Sequence, residues 1–191
     1  LGIFTLNQTG VVGGILQMIN HGIVTGALFM CVGIIYERTH TRMIEDYGGL
    51  SRSVPIYVVF FTIFTLAASG FPGLNSFIGE FLIISGAFKA TMIFGALSIL
   101  GVILGITYML WLYYRLVCGV VNPKIEHHLH DIDLREIIAL VPLVILIVLI
   151  GLQPNLLTSY MDVSVQHLLE KVNAGDTQQI KIVRIFLEII R

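Results

Sequence analysis

Charge is what this sequence has least of. Only 12% of its 191 residues are Asp, Glu, Lys or Arg, while 56% are hydrophobic and the mean hydropathy is +0.90. A soluble domain carries roughly 25% charged residues. Half that density leaves too little polar surface to cover a water-soluble globule, so the chain falls in the membrane class. The net charge of −1 supplies no basic patch and gives no case for a nucleic-acid partner. Cysteine is scarce as well. Cys31 and Cys118 lie in or beside apolar runs, without the CxxC spacing of a disulfide framework, a zinc site or an iron–sulfur site. They read as small apolar residues. The chain opens on Leu1 and has no positively charged n-region, h-region or cleavage site of a signal peptide. It therefore reads as a fragment whose upstream helices are missing.

Long apolar runs are what remains, and a spanning helix needs about 20 mostly apolar residues. The first run extends from about Thr9 to Tyr36, without charge but carrying Gln17, Asn20 and His21. A polar stretch follows, from Glu37 to Asp46, with a Gly48-Gly49 turn signal. The second run begins at Pro55, a residue well tolerated in a helix's first turn. It is interrupted at Gly70-Phe71-Pro72-Gly73. Pro72 cannot donate an amide and clashes with the preceding turn, so the run predicts one discontinuous helix with halves over Pro55–Ser69 and Phe77–Phe88. A third span is predicted from Met92 to Tyr114, with Trp111, Tyr113 and Tyr114 as an aromatic belt. A fourth covers Leu134 to Leu152, kinked at Pro142. The expected fold is all-α, a polytopic membrane helix bundle of about four spans including the discontinuous one. It occupies residues 1–160. The tail, 161–191, has no assigned structure beyond a short amphipathic helix from Asp162 to Val172.

Basic residues favour the cytoplasmic side of a membrane. Arg38, Arg42, Arg52, Arg115, Lys124 and Arg135 fall in or beside the two polar loops, against Lys89 alone on the other side before Lys171. The loops 37–54 and 115–133 are therefore expected in the cytoplasm or its equivalent, with the tail outside.

Glu80 stands out among the residues that can carry chemistry. It sits beside the break, inside an otherwise apolar segment, where a charge costs several kcal/mol and an ionisable group is by default functional. Backbone groups freed near Gly70–Asn75 are tolerable only when packed in protein or wetted by a cavity, and broken helices near the midplane recur at ion sites in transporters. At such depth the charged form is penalised, so the carboxyl can take a proton as well as release one. The other reading is that Glu80 pairs with a cation on a missing helix and only fixes packing. His21 is open in the same way. Imidazole can relay protons near neutral pH, and a buried histidine can equally just bond a neighbouring helix. Gln17, one turn earlier, can share its face. Asn75, Ser76, Ser69 and Thr65 can hold water or cap the half-helices, and each alone reads as structural. The tract Glu126-His127-His128-Leu129-His130-Asp131 resembles a metal-binding run in composition only. Its spacing fits no helical zinc pattern, and it reads as a solvated loop. No metal, cofactor or redox site is expected in the chain.

The run INHGIVTGALFMCVGIIYERTHTR with the following GGL, and the run ASGFPGLNSFIGEF, resemble the proton-translocating chain M (chain 4) family of respiratory NADH:quinone oxidoreductase, complex I. The resemblance covers about residues 9–160, towards the C-terminal end of that family's pattern, and leaves the tail unmatched. It implies a membrane-arm subunit that supplies the output part of a proton channel coupled to quinone reduction. Glu80 matches the broken-helix carboxylate of the outward-connected part, and His21 matches the histidine on the hydrophilic axis. Gln17, Asn20, Gly70, Pro72, Gly73, Asn75 and Ser76 are supporting polar or break positions. The resemblance further implies partner subunits of the L and N type within a bilayer. NADH, FMN, iron–sulfur clusters and quinone would sit on other subunits. The location implied is a bacterial inner membrane, with an organellar membrane as the alternative. Multi-subunit cation/proton antiporters and membrane-bound hydrogenases share the fold. Subunits L and N and the antiporters generally carry Lys where this chain has Glu80.

Overall fold

The computed structural model describes residues 1–127 and 129–189, leaving aside the side chains of Lys124 and of residues 175–189. Every described element is helical. After a 3-10 turn, Gly2–Thr5, the helices are α1 (Gln8–Thr39), α2 (Leu50–Ser53), α3 (Pro55–Ala68), α4 (Asn75–Ala90), α5 (Met92–Val117), α6 (Pro123–Glu126), α7 (Leu134–Leu152) and α8 (Asn155–Ile189). Three of them, α1, α5 and α7, are long and apolar enough to cross a membrane. The fourth crossing expected from the sequence is divided between α3 and α4. At about 1.5 Å rise per residue, the 14 residues of α3 and 16 of α4 reach about 21 and 24 Å. Each falls short of a hydrocarbon core about 30 Å thick, and the two together exceed it.

The discontinuous helix thus forms where Pro72 and its flanking glycines predict it. α4 starts at Asn75 rather than Phe77 and runs on to Ala90. α1 and α5 each extend three residues beyond their expected C-terminal ends. α7 has the expected bounds and continues through Pro142. The tail differs most. Where the sequence supports only a short amphipathic piece, α8 runs unbroken from Asn155 to Ile189. Its first part sets Val165 and Leu169 against Val11, Val12 and Ile15 of α1, and the Gln8 amide donates to the Asp162 carbonyl at 3.3 Å.

α1 is the hub, with α3, α4, α7 and α8 packed on it. Val24, Ala27 and Cys31 of α1 meet Phe61 and Phe64 of α3 and Leu140 and Ile147 of α7 in one buried core. Against α4 the contact is closer. A Cβ on Gly86 would run into the backbone of Gly10, so the two helices touch backbone to backbone, as small residues allow in membranes. Asn7, the N-cap of α1, locks this crossing. Its Oδ1 accepts from the Gly10 amide at 3.0 Å while its Nδ2 donates to the Gly86 carbonyl at 2.8 Å.

Candidate functional site

The break between α3 and α4 spans residues 69–74. Ser69 ends α3, its hydroxyl donating back to the Thr65 carbonyl at 2.8 Å. Gly70 then takes a left-handed conformation, φ +65°, and Gly73 also has positive φ, +93°. Pro72 lies exposed at the turn, and the Gly73 carbonyl lies against Gly151 of α7. Ser69 does not cap α4, and neither does the N-cap residue of that helix, Leu74, which offers no side-chain acceptor. Asn75 and Ser76 are already inside the helix as its first two residues.

The half-buried Glu80 carboxylate sits one turn and a half into α4 and turns back towards the break. A Cβ on Gly70 would collide with its Oε2. Its side-chain partner is Gln17 on α1, whose Nε2 donates to Glu80 Oε1 at 3.4 Å. Among the described residues no cation lies within ion-pair distance of it; the ion pairs found are Arg38–Glu136 and His167–Glu170. Behind Gln17, Asn20 reaches the break from the other side, its Nδ2 2.9 Å from the Asn75 carbonyl and 3.5 Å from Gln17 Oε1. Glu80, Gln17, Asn20 and the first residue of α4 thus form one chain of polar contacts.

Glu80 and His21 open onto the same space. A cavity of about 630 Å³ lies between α1, α4, α5 and the end of α3, lined by Gln17, His21, Ser69, Ser76 and Glu80 together with Thr25, Ser98 and Tyr108. The structure therefore gathers Gln17, His21, Ser76 and Glu80 in one place. It keeps Asn20 and Asn75 fully buried behind that place, and Gly70, Pro72 and Gly73 in the turn. Thr25, Ser98 and Tyr108 are the residues that sequence reasoning missed. Thr25 was findable, being one turn beyond His21, to whose carbonyl its hydroxyl donates. Ser98 and Tyr108 reach the cavity only because α5 folds back beside α4. Among the described residues no group of three or more His, Cys, Asp or Glu side chains could hold a metal ion. His128 of the histidine-containing loop lies outside the described residues.

On the other side of the bundle, Asp131 holds the start of α3. Pro55 has no amide, and the next two, Ile56 and Tyr57, donate to Asp131 Oδ2 and Oδ1 at 2.7 and 2.9 Å. Arg38 clamps the same loop, donating through Nε to the His130 carbonyl at 2.9 Å.

The model of the family described as NADH:quinone oxidoreductase/Mrp antiporter, transmembrane, matches residues 1–107. NADH-quinone oxidoreductase subunit M of Rhodobacter capsulatus is 43% identical over 174 residues, covering 91% of this chain and 34% of that protein. NADH-ubiquinone oxidoreductase chain 4 of Arabidopsis thaliana is 42% identical over 170 residues, covering 89% and 34%. A chain of the solved respiratory complex I from Thermus thermophilus with bound NADH superposes with a TM-score of 0.80 at 30% identity, over 88% of this chain and 35% of that one. The chain spans about a third of the length of the curated relatives it matches. With a matching family model over more than half its length and the same fold in a solved relative, the chain belongs to the NADH:quinone oxidoreductase/Mrp antiporter family of transmembrane subunits.

Proposed function

We propose that this chain is part of a proton-translocating membrane-arm subunit of an NADH:quinone oxidoreductase and forms the output part of its proton channel. The observation that carries this reading is the position of the Glu80 carboxylate, turned against the helix break and facing a cavity it shares with His21. A carboxyl with an amide partner and, among the described residues, no cation can exist charged or neutral, and the cavity gives protons a way to it. His21 and Glu80 are the groups that load and release the proton. Charge changes during quinone reduction elsewhere in the complex bias their protonation. Partner subunits of the L and N type flank the chain, while FMN, iron–sulfur clusters and the NADH and quinone sites lie on other subunits. The chain itself holds no redox centre. Loops 37–54 and 115–133 face the cytoplasm of a bacterial inner membrane, or the equivalent side of an organellar one, and release is to the opposite face.

Glu80→Gln in the full-length protein, in its native membranes, tests the reading. NADH:quinone electron transfer and proton uptake into inverted vesicles are measured together. The expected result is normal assembly with both rates reduced. Normal assembly with unchanged pumping per electron would reduce Glu80 to a packing residue. If the unmodified membranes lack NADH:quinone activity yet exchange cations for protons, the antiporter branch of the family takes precedence.

A further inference from the structure

Lys89 and Asp162 flank one groove, at the end of the bundle where α4 and α7 finish and α1 and α8 begin. Adjacent residues of α1 hold them there. The Lys89 ammonium donates to the Thr9 hydroxyl at 2.7 Å, and the Gln8 amide donates to Asp162 Oδ1 at 3.4 Å as well as to the Asp162 carbonyl. Among the described residues neither charge has an opposite charge within ion-pair distance. Gln8, Thr9 and Asp162 make the polar mouth of a groove of about 310 Å³, and Val12, Ile78, Leu82 and Pro154 make its apolar wall. At about 1.5 Å per residue, Ile78 lies about 16 Å from Lys89 along α4, towards the break. The wall therefore runs from the end of the bundle into the depth of the hydrocarbon. The groove shares no lining residue with the cavity that Glu80 and His21 face.

We propose that this groove binds a phospholipid with a primary-amine headgroup, a phosphatidylethanolamine, with its phosphate on Lys89, its ammonium on Asp162 and an acyl chain along Val12, Leu82 and Ile78. Charge selects the headgroup. One cation and one carboxylate on either side of the mouth match a zwitterion. Anionic lipids are drawn by clusters of several basic residues, whereas the cation here is balanced by Asp162. The chemistry of the mouth then separates the two common zwitterions. A quaternary ammonium is recognised by aromatic cages, and among the described residues no aromatic side chain lines the groove. A primary ammonium instead carries N–H donors that a carboxylate accepts in charge-assisted bonds. The site requires only that the chain lies in a bilayer, and it is independent of the role proposed for Glu80.

The test uses the assembled complex containing the full-length protein, purified in detergent and mixed with a phosphatidylethanolamine that carries a photoactivatable group on one acyl chain. Crosslinks to the start of α1 around Val12 and to α4 between Ile78 and Leu82, located by mass spectrometry, are the expected result. Unlabelled phosphatidylethanolamine should compete. Phosphatidylcholine and phosphatidylglycerol should compete about tenfold less well, as the loss of one charge-assisted contact implies. Asp162→Asn and Lys89→Gln should each weaken labelling by a similar factor, and Glu80→Gln should label like the unmodified protein. Competition by phosphatidylcholine or phosphatidylglycerol as strong as that by phosphatidylethanolamine would overturn the headgroup assignment. Absence of these crosslinks, labelling that neither charge variant reduces, or a structure of the complex with a protein segment filling the groove would overturn the site itself.

Discussion

Arg38, in the last turn of α1, grips Glu136, in the first turn of α7, with two bonds: Nη1 to Oε1 at 2.9 Å and Nη2 to Oε2 at 2.7 Å. The Arg38 and Glu136 side chains are only 5% and 19% exposed, and the guanidinium also donates to the carbonyls of Ile34, His130 and Asp131. Arg38→Ala would leave a largely buried carboxylate and three carbonyls behind. It should cost about 3–5 kcal/mol, read as a lower thermal midpoint and a loss of assembled protein. Arg38→Lys should recover only part of this, because an ammonium cannot make the forked contact. Equal stability of Arg38→Ala and the unmodified protein would mean the pair is incidental.

That clamp also marks where the sequence stops being legible. Composition places the chain in a membrane, and Pro72 between two glycines announces the break, because both act within one turn of chain. Glu80 stands out because a charge in an apolar run has few cheap explanations. Arg38 reads only as a loop cation for orientation, since its acceptor lies 98 residues on. Likewise His21 and Glu80 are separately visible, but their shared cavity depends on which faces of α1, α4 and α5 meet. The tail misleads for a different reason. Its mixed hydropathy supports no long spanning helix, and α8 is held at its start by side-chain packing on α1 that no local period encodes.

Asp131 supplies the cap that α3 lacks locally, since Val54 at the N-cap offers no side-chain bond. Asp131→Ala removes acceptors for the Ile56 and Tyr57 amides, and also for the Ile132 amide, bonded at 2.8 Å. The expected loss is about 1–2 kcal/mol, at the upper end for a helix cap. Asp131→Asn keeps one acceptor and should lose less. Thermal unfolding of the purified complex, with hydrogen exchange at the start of α3, measures both. Exchange there that is unchanged in Asp131→Ala would refute the capping role.

The crossing of α1 and α4 tolerates no side chain at its narrowest point. Gly86→Ala would drive a methyl into the backbone of Gly10, and that backbone cannot rotate away as a side chain can. The helices must separate, which loosens the bond from Asn7 Nδ2 to the Gly86 carbonyl. Overpacking of this kind costs about 1–3 kcal/mol. Gly22→Ala on the same α1 helix, where a Cβ meets nothing within 4 Å, is the control for helix propensity and should leave the stability of the isolated chain in detergent unchanged or slightly higher. A similar loss in both variants would count against the close crossing.

Gly70 and Gly73 allow backbone strain to be separated from displacement of Glu80. Both have positive φ, +65° and +93°, so an alanine at either position strains the turn, by about 1–2 kcal/mol for a left-handed residue. Only at Gly70 does the added Cβ meet the Glu80 carboxylate; at Gly73 it meets nothing within 4 Å. Gly73→Ala should therefore lower stability while leaving proton uptake per electron as it was. Gly70→Ala should lower stability to a similar degree and also reduce uptake, because Glu80 Oε2 has to swing away from the break. The comparison is made on membranes with matched amounts of assembled complex, so that a loss of protein is not read as a loss of coupling. If the two variants pump alike, the carboxylate does not depend on its position against the break, and the geometry on which the output role rests loses its meaning.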